Sequence, residues 1–188
     1  MNSRTDHSNP AAKGTGCLLR RPDRRGWFLF CTIFLLGAAA DLWSKHAVFN
    51  WLGPVGSGET YTVIPGFFRI ALCQNDGAAF SILRGQRFIL SGVSIIALIV
   101  ICVLFLIGQA RQRILQIAFG CIGAGIAGNL YDRLLNEGLV RDFLDIYIGD
   151  HHWPTFNIAD SLLCVGVGLI LLANFTSGAD QTHAPPQK

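Results

Sequence analysis

Acidic side chains are concentrated in one part of a strongly apolar chain. Residues 128–147 read GNLYDRLLNEGLVRDFLDIY and follow a long apolar run. This stretch and the segment that follows it contain seven notable charged residues: Asp132, Arg133, Glu137, Arg141, Asp142, Asp145 and Asp160. Two carboxyl groups held a few ångströms apart share a proton, so one can activate water while the other polarises a substrate carbonyl. The cluster therefore predicts acid–base hydrolysis, although spacing alone does not choose between Asp142 and Asp145.

Other catalytic chemistries have weaker support. Serine catalysis needs a nearby histidine, and the serines at positions 44, 81, 91, 94 and 161 have none at a plausible depth. The adjacent residues Asp150, His151 and His152 are a short metal-site candidate. A stretch of this kind is more often a solvated loop, and no H-E-x-x-H spacing is present. We therefore predict no metal ligands and no cofactor.

Two alternative functions use clustered acids differently. In a metal-dependent lipid phosphotransferase, carboxylates bind Mg²⁺ that bridges phosphates, and chelator sensitivity separates this function from metal-free hydrolysis. In a proton-coupled transporter, intramembrane acids mark the proton path. A transporter requires polar groups at mid-membrane, and the apolar segments 88–107 and 158–175 have almost none.

The composition is typical of a polytopic membrane protein. Of the 188 residues, 51% are hydrophobic and 14% are charged, which is too apolar for an ordinary soluble domain. Four segments approach the roughly 20 residues that cross a hydrocarbon core, and they cover about 27–50, 88–107, 114–131 and 158–175. Asp132 then follows the third span and Asp160 lies near the start of the fourth, at one membrane surface. Carboxylates at this depth usually have a function, because an ionised group in hydrocarbon is costly.

The positive charges predict the orientation. Lys and Arg residues are enriched in cytoplasmic loops, and here they are concentrated in the N-terminal tail and in the loop between spans two and three: Arg4, Lys13, Arg20, Arg21, Arg24, Arg25, Arg111 and Arg113. Both termini are therefore predicted to be cytoplasmic, with the acidic cluster near the outer face of the membrane.

The expected architecture is a mainly α membrane protein with four transmembrane helices and a small extracytoplasmic β-rich platform. Residues 51–85 contain Tyr, Thr, Val, Ile and Phe between Gly and Pro breaks, which predicts two or three short strands. Since an open sheet cannot lie in hydrocarbon, these strands and residues 134–155 form the platform. We expect a membrane domain at 26–175, with disordered cytoplasmic tails at 1–25 and 176–188.

Small residues recur along the third span. The sequence GAGIAG at 123–128 fits a dinucleotide-binding pattern, but that pattern requires a preceding strand. The spacing of Gly120, Ala124 and Gly128 is instead typical of close helix packing in membranes.

Polar residues are expected at the level of the acids. Asn75, Asn129 and Asn157 can hold a carboxylate or a peptide by hydrogen bonds without adding charge. Asp41 and Lys45, four residues apart, can pair on one face of the first helix.

Five blocks in this order resemble the lipoprotein signal peptidase family, also called signal peptidase II. They are DLWSK at 41–45, NDGAAFS at 75–81, GNLYDR at 128–133, VRDF at 140–143 and FNIAD at 156–160. The resemblance implies a bacterial inner-membrane aspartyl endopeptidase whose catalytic pair is Asp142 and Asp160. It also implies that Asn75, Asn129, Arg133 and Asn157 line the substrate site, and that Asp132 stabilises Arg133.

The same resemblance implies the partners. The substrates would be prolipoproteins, cut on the N-terminal side of a cysteine that carries diacylglyceryl, within membrane lipids. Globomycin-type cyclic peptides would inhibit the enzyme, and no nucleic-acid partner is expected. The acidic Asp76 and the slightly longer LLNEG connection at 134–138 depart from the family pattern.

Overall fold

The computed structural model describes residues 22–77, 83–110 and 112–179. Within these ranges, four helices are long and apolar enough to cross a membrane: α1 (Arg24–Leu52), α2 (Arg87–Leu106), α3 (Arg113–Leu135) and α4 (Ile158–Ala179). The predicted four-span helical fold is confirmed. Helix α1 begins before the predicted start of the domain and α4 continues past its predicted end. The predicted disorder of the tails lies largely outside the described residues.

The start of α1 is joined to the start of α3. The Asp23 carboxylate accepts a hydrogen bond from the backbone N–H of Gly26 at 2.8 Å, which caps α1. The same carboxylate accepts two hydrogen bonds from Arg113, at 2.8 and 2.6 Å. Because α1 and α3 start at the same end of the bundle, α2, which lies between them in the chain, runs antiparallel to both.

Helix α3 is the most buried of the four spans, and its small residues explain why. A Cβ atom on Gly120 would lie 2.9 Å from Cβ of Ile33, and one on Gly128 would collide with the Asp41 carboxylate. Between them, the Ala124 methyl group lies against Gly37. The predicted Gly120, Ala124 and Gly128 stripe is therefore confirmed as the face on which α3 packs closely against α1.

A four-stranded antiparallel sheet lies at the opposite end of the bundle, in the described segments that connect the helices. Its strands, in their order across the sheet, are β1 (Thr60–Ile64), β2 (Phe68–Asn75), β3 (Val140–Ile148) and β4 (His151–His152). The two strands β1 and β2 confirm the expectation for residues 51–85. Since β2 pairs with β3, the platform joins the α1–α2 connection to the α3–α4 connection.

The register of the sheet positions the acids. Asp142 lies opposite Cys73, and Asp145 lies opposite Arg69. Because side chains alternate along a strand, Asp142 and Asp145, three residues apart, point to opposite faces of the sheet. Only one of them can therefore face the helices.

Candidate active site

A cavity of about 810 Å³ lies where the platform meets the ends of α3 and α4. Both Asp142, from β3, and Asp160, from the first turn of α4, line this cavity. The remaining lining residues include both polar and apolar side chains: Asn75, Asn129, Arg133, Val140, Ile146, Trp153, Pro154, Thr155, Phe156, Ser161, Leu163 and Cys164. The cavity therefore has room for a peptide segment and an adjoining apolar group.

Asp142 is buried and lies among amide groups. Its Oδ1 accepts a hydrogen bond from Nδ2 of Asn157 at 2.6 Å. Burial raises the pKa of the Asp142 carboxyl to about 7, and the charge of Asp160 contributes to the increase. Hydrogen bonds from Asn157 and Asn75, together with the charge of Lys45, oppose the increase. Asp142 can therefore carry a proton close to neutral pH.

Asp160 belongs to the N-terminal cap of α4. The Asn157 side chain accepts a hydrogen bond from the backbone N–H of Asp160 at 3.0 Å, and the Asp160 carboxylate accepts one from the backbone N–H of Asn157 at 3.3 Å. This reciprocal pair is a capping box. The first turn of a helix is also a favourable place for an acidic side chain, which agrees with the position of Asp160.

The asparagines connect the two acids. Nδ2 of Asn129 donates to Oδ1 of Asp160 at 2.7 Å. Its carbonyl oxygen accepts hydrogen bonds from Nδ2 of Asn157 and from Nζ of Lys45, both at 3.1 Å. Because an amide oxygen can accept from both of these donors, the amide orientation of Asn129 is fixed with its nitrogen toward Asp160.

A buried ionic network lies beneath these amides. Lys45 Nζ is 2.8 Å from Asp41 Oδ2 and 3.2 Å from Asp132 Oδ2, and all three side chains are fully buried. Asp132 Oδ1 also accepts hydrogen bonds from Arg141 at 2.6 and 3.1 Å. The backbone N–H of Ala159 donates to Asp41 at 2.8 Å. The network thus joins α1, α3, β3 and the start of α4.

The direct hydrogen bonds and ion pairs of Asp132 are with residues other than Arg133, so its expected stabilisation of Arg133 stays a prediction. In the described residues, the hydrogen bonds of Asp132 go to Arg141, and its second ionic contact is Lys45. Consecutive residues on a helix face directions about 100° apart, so Asp132 points into the network while Arg133 points into the cavity. Nη2 of Arg133 donates to the carbonyl oxygen of Gly77 at 3.3 Å, while its buried Nε has no partner among the described residues.

Asp145 lies outside the cavity. Its carboxylate accepts a hydrogen bond from Nε of Arg69 at 2.6 Å and lies 3.1 Å from Nδ1 of His152. The two departures from the family pattern also lie apart from the acids. Asp76 pairs with Arg84 at 3.0 Å on the surface, and the 134–138 connection ends with Glu137 and Gly138 in left-handed conformations.

The structure brings together the nine residues that were predicted to form the catalytic and substrate site. Asn75, Asn129, Arg133, Asp142 and Asp160 line the cavity, and Asn157 bonds to both acids. The remaining three, Asp41, Lys45 and Asp132, form the network below. The sequence analysis gave no role to Arg141 or to the cavity lining at 153–156. The pattern N-x-x-D at 157–160, before an apolar run, is a signal from which the capping box could have been predicted.

Sequence comparisons with known proteins point to one family of enzymes. The sequence model of the family described as Signal peptidase (SPase) II matches residues 33–176. A lipoprotein signal peptidase of Rhodopirellula baltica is 41% identical over 159 residues, covering 78% of this chain and 71% of the relative. A lipoprotein signal peptidase of Photorhabdus laumondii is 39% identical over 160 residues, covering 83% and 91%.

The fold also matches solved structures. A bacterial membrane enzyme structure determined by the in meso method at 2.3 Å resolution has a TM-score of 0.73 and 31% identity, covering 84% of this chain and 94% of that one. A second, at 1.9 Å resolution, has a TM-score of 0.65 and 34% identity, covering 77% and 90%. With a family model matched over most of its length, the chain belongs to the signal peptidase II family of membrane peptidases.

Proposed function

We propose that Asp142 and Asp160 are the catalytic pair with which this peptidase removes signal peptides from prolipoproteins. The observation that supports the pair most strongly is their position in one cavity with different hydrogen-bond donors. Asp142 has a raised pKa, while Asp160, at the start of α4, accepts hydrogen bonds from the backbone N–H of Asn157 and from Nδ2 of Asn129. Two carboxyls in such different surroundings take different roles in acid–base catalysis.

The proposed reaction uses one water molecule. Asp160 accepts a proton from water as the water oxygen bonds to the scissile carbonyl carbon, and Asp142 donates its proton to the carbonyl oxygen. The resulting tetrahedral diol then collapses. The carbon–nitrogen bond breaks, the departing amine takes the proton from Asp160, and a hydroxyl returns a proton to Asp142. The polar lining residues Arg133, Asn75 and Asn129 bind the peptide backbone in the cavity.

The proposed substrate is a prolipoprotein whose cysteine, immediately after the scissile bond, carries diacylglyceryl. A cavity at the junction of platform and helices suits this substrate, because the peptide can reach the acids while the acyl chains remain in the membrane. Three apolar lining residues support this arrangement: Phe156, and Leu163 and Cys164 of α4. Globomycin-type cyclic peptides would compete for the same cavity.

The protein is a multi-pass bacterial inner-membrane protein. We propose that both termini are cytoplasmic and that the cavity opens near the outer face. The basic residues near the starts of α1 and α3 support this orientation, because Lys and Arg are enriched on the cytoplasmic side.

Asparagine substitutions test the catalytic pair. We expect Asp142→Asn and Asp160→Asn each to lower the turnover of a diacylglyceryl-modified prolipoprotein by about 10²–10⁴-fold, the usual effect of losing a general acid or base. Asp150→Asn, an exposed acid on the same platform, is the matched control and should cleave like the original protein. Conversion is followed by gel shift at equal membrane levels, with and without EDTA.

Three results would each contradict a part of the proposal. Near-normal turnover by Asp142→Asn or Asp160→Asn would remove that residue from the pair. Loss of all activity in EDTA, with recovery on addition of Mg²⁺ or Zn²⁺, would replace the dyad by a metal mechanism. An unmodified precursor that is cut as fast as the lipidated form would show that the lipid is not recognised.

A further inference from the structure

We propose that Arg69, Asp145 and His152, here named the Asp145 clamp, position one wall of the substrate cavity. This inference rests on the proposed function, because it assigns the wall to the binding of the prolipoprotein. The wall is residues 153–156, which line the cavity beside Asp142 and Asp160. The clamp residues themselves do not line the cavity. They are positioning residues, and they act through the backbone that follows His152.

The clamp is centred on a buried carboxylate. Asp145 is almost fully buried on the face of β3 opposite Asp142. Its Oδ2 lies 2.6 Å from Nε of Arg69, and its two oxygens lie 3.1 and 3.2 Å from Nδ1 of His152. A buried carboxylate is costly without partners, so Asp145 restrains both the β2 arginine and the β4 histidine.

Aromatic stacking further fixes the His152 ring. The ring is stacked on Tyr147 with centroids 5.4 Å apart and an interplanar angle of 16°. The Arg69 guanidinium lies 5.1 Å from the centroid of the same Tyr147 ring. The Tyr147 hydroxyl in turn accepts a hydrogen bond from the backbone N–H of Gly66 at 3.2 Å. The position of His152 is therefore determined by side chains of β2 and β3, and the backbone of Gly66 in the turn before β2 holds Tyr147.

The wall starts directly after this histidine and is attached at both ends. At its start, the backbone N–H of Trp153 donates to the carbonyl oxygen of Ile146 at 2.8 Å. At its end, Phe156 and Leu144 exchange backbone hydrogen bonds of 3.0 and 2.8 Å. Strand β4 has only two residues, which is short for independent pairing. The His152 side chain is therefore expected to stabilise the first attachment substantially.

The position of the wall predicts a binding role. Trp153, Pro154 and Phe156 are apolar or aromatic and face the cavity beside the acids, so they suit an apolar part of the substrate near the scissile bond. The catalytic acids keep their own hydrogen bonds to Asn157 and Asn129, which do not involve the clamp. Loosening the clamp should therefore raise KM more than it lowers kcat.

Neighbouring histidines provide a matched test. His152→Ala removes the contact with Asp145, whereas His151→Ala alters the exposed side chain of the adjacent strand residue. We expect His152→Ala to raise KM for the lipidated prolipoprotein on the order of tenfold, the scale of one lost hydrogen bond to a charged group, with kcat within about twofold. His151→Ala should keep the original KM. His152→Asn should recover much of the loss, because its amide nitrogen can replace Nδ1 as donor.

A second measurement is independent of activity. Backbone amide hydrogen exchange of the 149–157 peptide should be faster in His152→Ala than in His151→Ala. Equal KM and equal exchange in the two alanine variants would overturn the clamp, as would a fall in kcat without a change in KM. If the unaltered protein does not cleave prolipoprotein, the proposed function fails, and the exchange comparison alone decides whether the clamp positions the wall.

Discussion

At the scale of single residues, two aspartates of identical chemistry lie in different surroundings because of the backbone that carries them. Asp142 lies on a buried strand, where loss of hydration and the charge of Asp160 raise its pKa to about 7. Asp160 lies in the first turn of a helix and accepts hydrogen bonds from Asn129 and the backbone of Asn157. These different surroundings suit the proposed division between a proton donor, Asp142, and a proton acceptor, Asp160.

The raised pKa of Asp142 predicts an alkaline limit to activity. As pH rises through about 7, Asp142 loses the proton that the reaction requires, so kcat/KM should fall on the alkaline side. Asn75→Ala removes a hydrogen bond that lowers this pKa. The alkaline limb of the profile of kcat/KM against pH should therefore move to higher pH, even though the maximal rate falls. Asp150→Asn is the control. An unchanged limb in Asn75→Ala, or one displaced to lower pH, would contradict the assignment of this limb to Asp142.

At the scale of secondary-structure elements, close helix packing makes the ionic network possible. Gly128 leaves room on α3 for the Asp41 carboxylate of α1, and Lys45 one turn later reaches both Asp132 and Asn129. Arg141 extends the network from α3 to β3. The platform strand that carries Asp142 is therefore connected to the helices by charge pairs as well as by the chain.

Removing the central cation should destabilise this connection. Lys45→Met leaves Asp41 and Asp132 buried beside each other without their common partner, and breaking a buried ion pair typically costs about 3–5 kcal/mol. Arg84→Met breaks the exposed pair with Asp76, where the expected cost is about 0–1 kcal/mol. Thermal unfolding in detergent measures both. Similar midpoints for the two variants would show that the network contributes little to stability.

The sequence allowed prediction of the helices and of the residues at the site, but not of which side chains contact one another. Continuous apolar runs determine membrane helices because every backbone group must be bonded within the membrane. The choice between Asp142 and Asp145 instead depends on which face of β3 meets α4, and this is a long-range property of the sheet. The partner of Asp132 likewise depends on where β3 returns to α3. Local spacing contains neither fact.

At the scale of the whole molecule, the described part of the chain has two ends of different character. One end contains the starts of α1 and α3, which Asp23 and Arg113 join. The other contains the four-stranded platform and the cavity. Helix α2 has 20 residues and spans about 30 Å at 1.5 Å per residue, so the connection between α2 and α3 must lie across the membrane from the platform.

Because the two ends differ, they should lie on opposite sides of the membrane. Reporter fusions that end after Ser57 or Asp150 should read as external, because both positions belong to the platform end. Fusions that end after Gly108 or Thr176 should read as cytoplasmic, because the basic residues near the starts of α1 and α3 favour that side. Paired fusions to alkaline phosphatase, active outside, and to a fluorescent protein, active inside, measure each position with opposite signals. Ser57 and Asp150 serve as mutual controls, since β1, β2 and β3 belong to one sheet. A cytoplasmic signal at both positions would invert the proposed orientation and place the acids on the wrong side of the membrane for the proposed substrate.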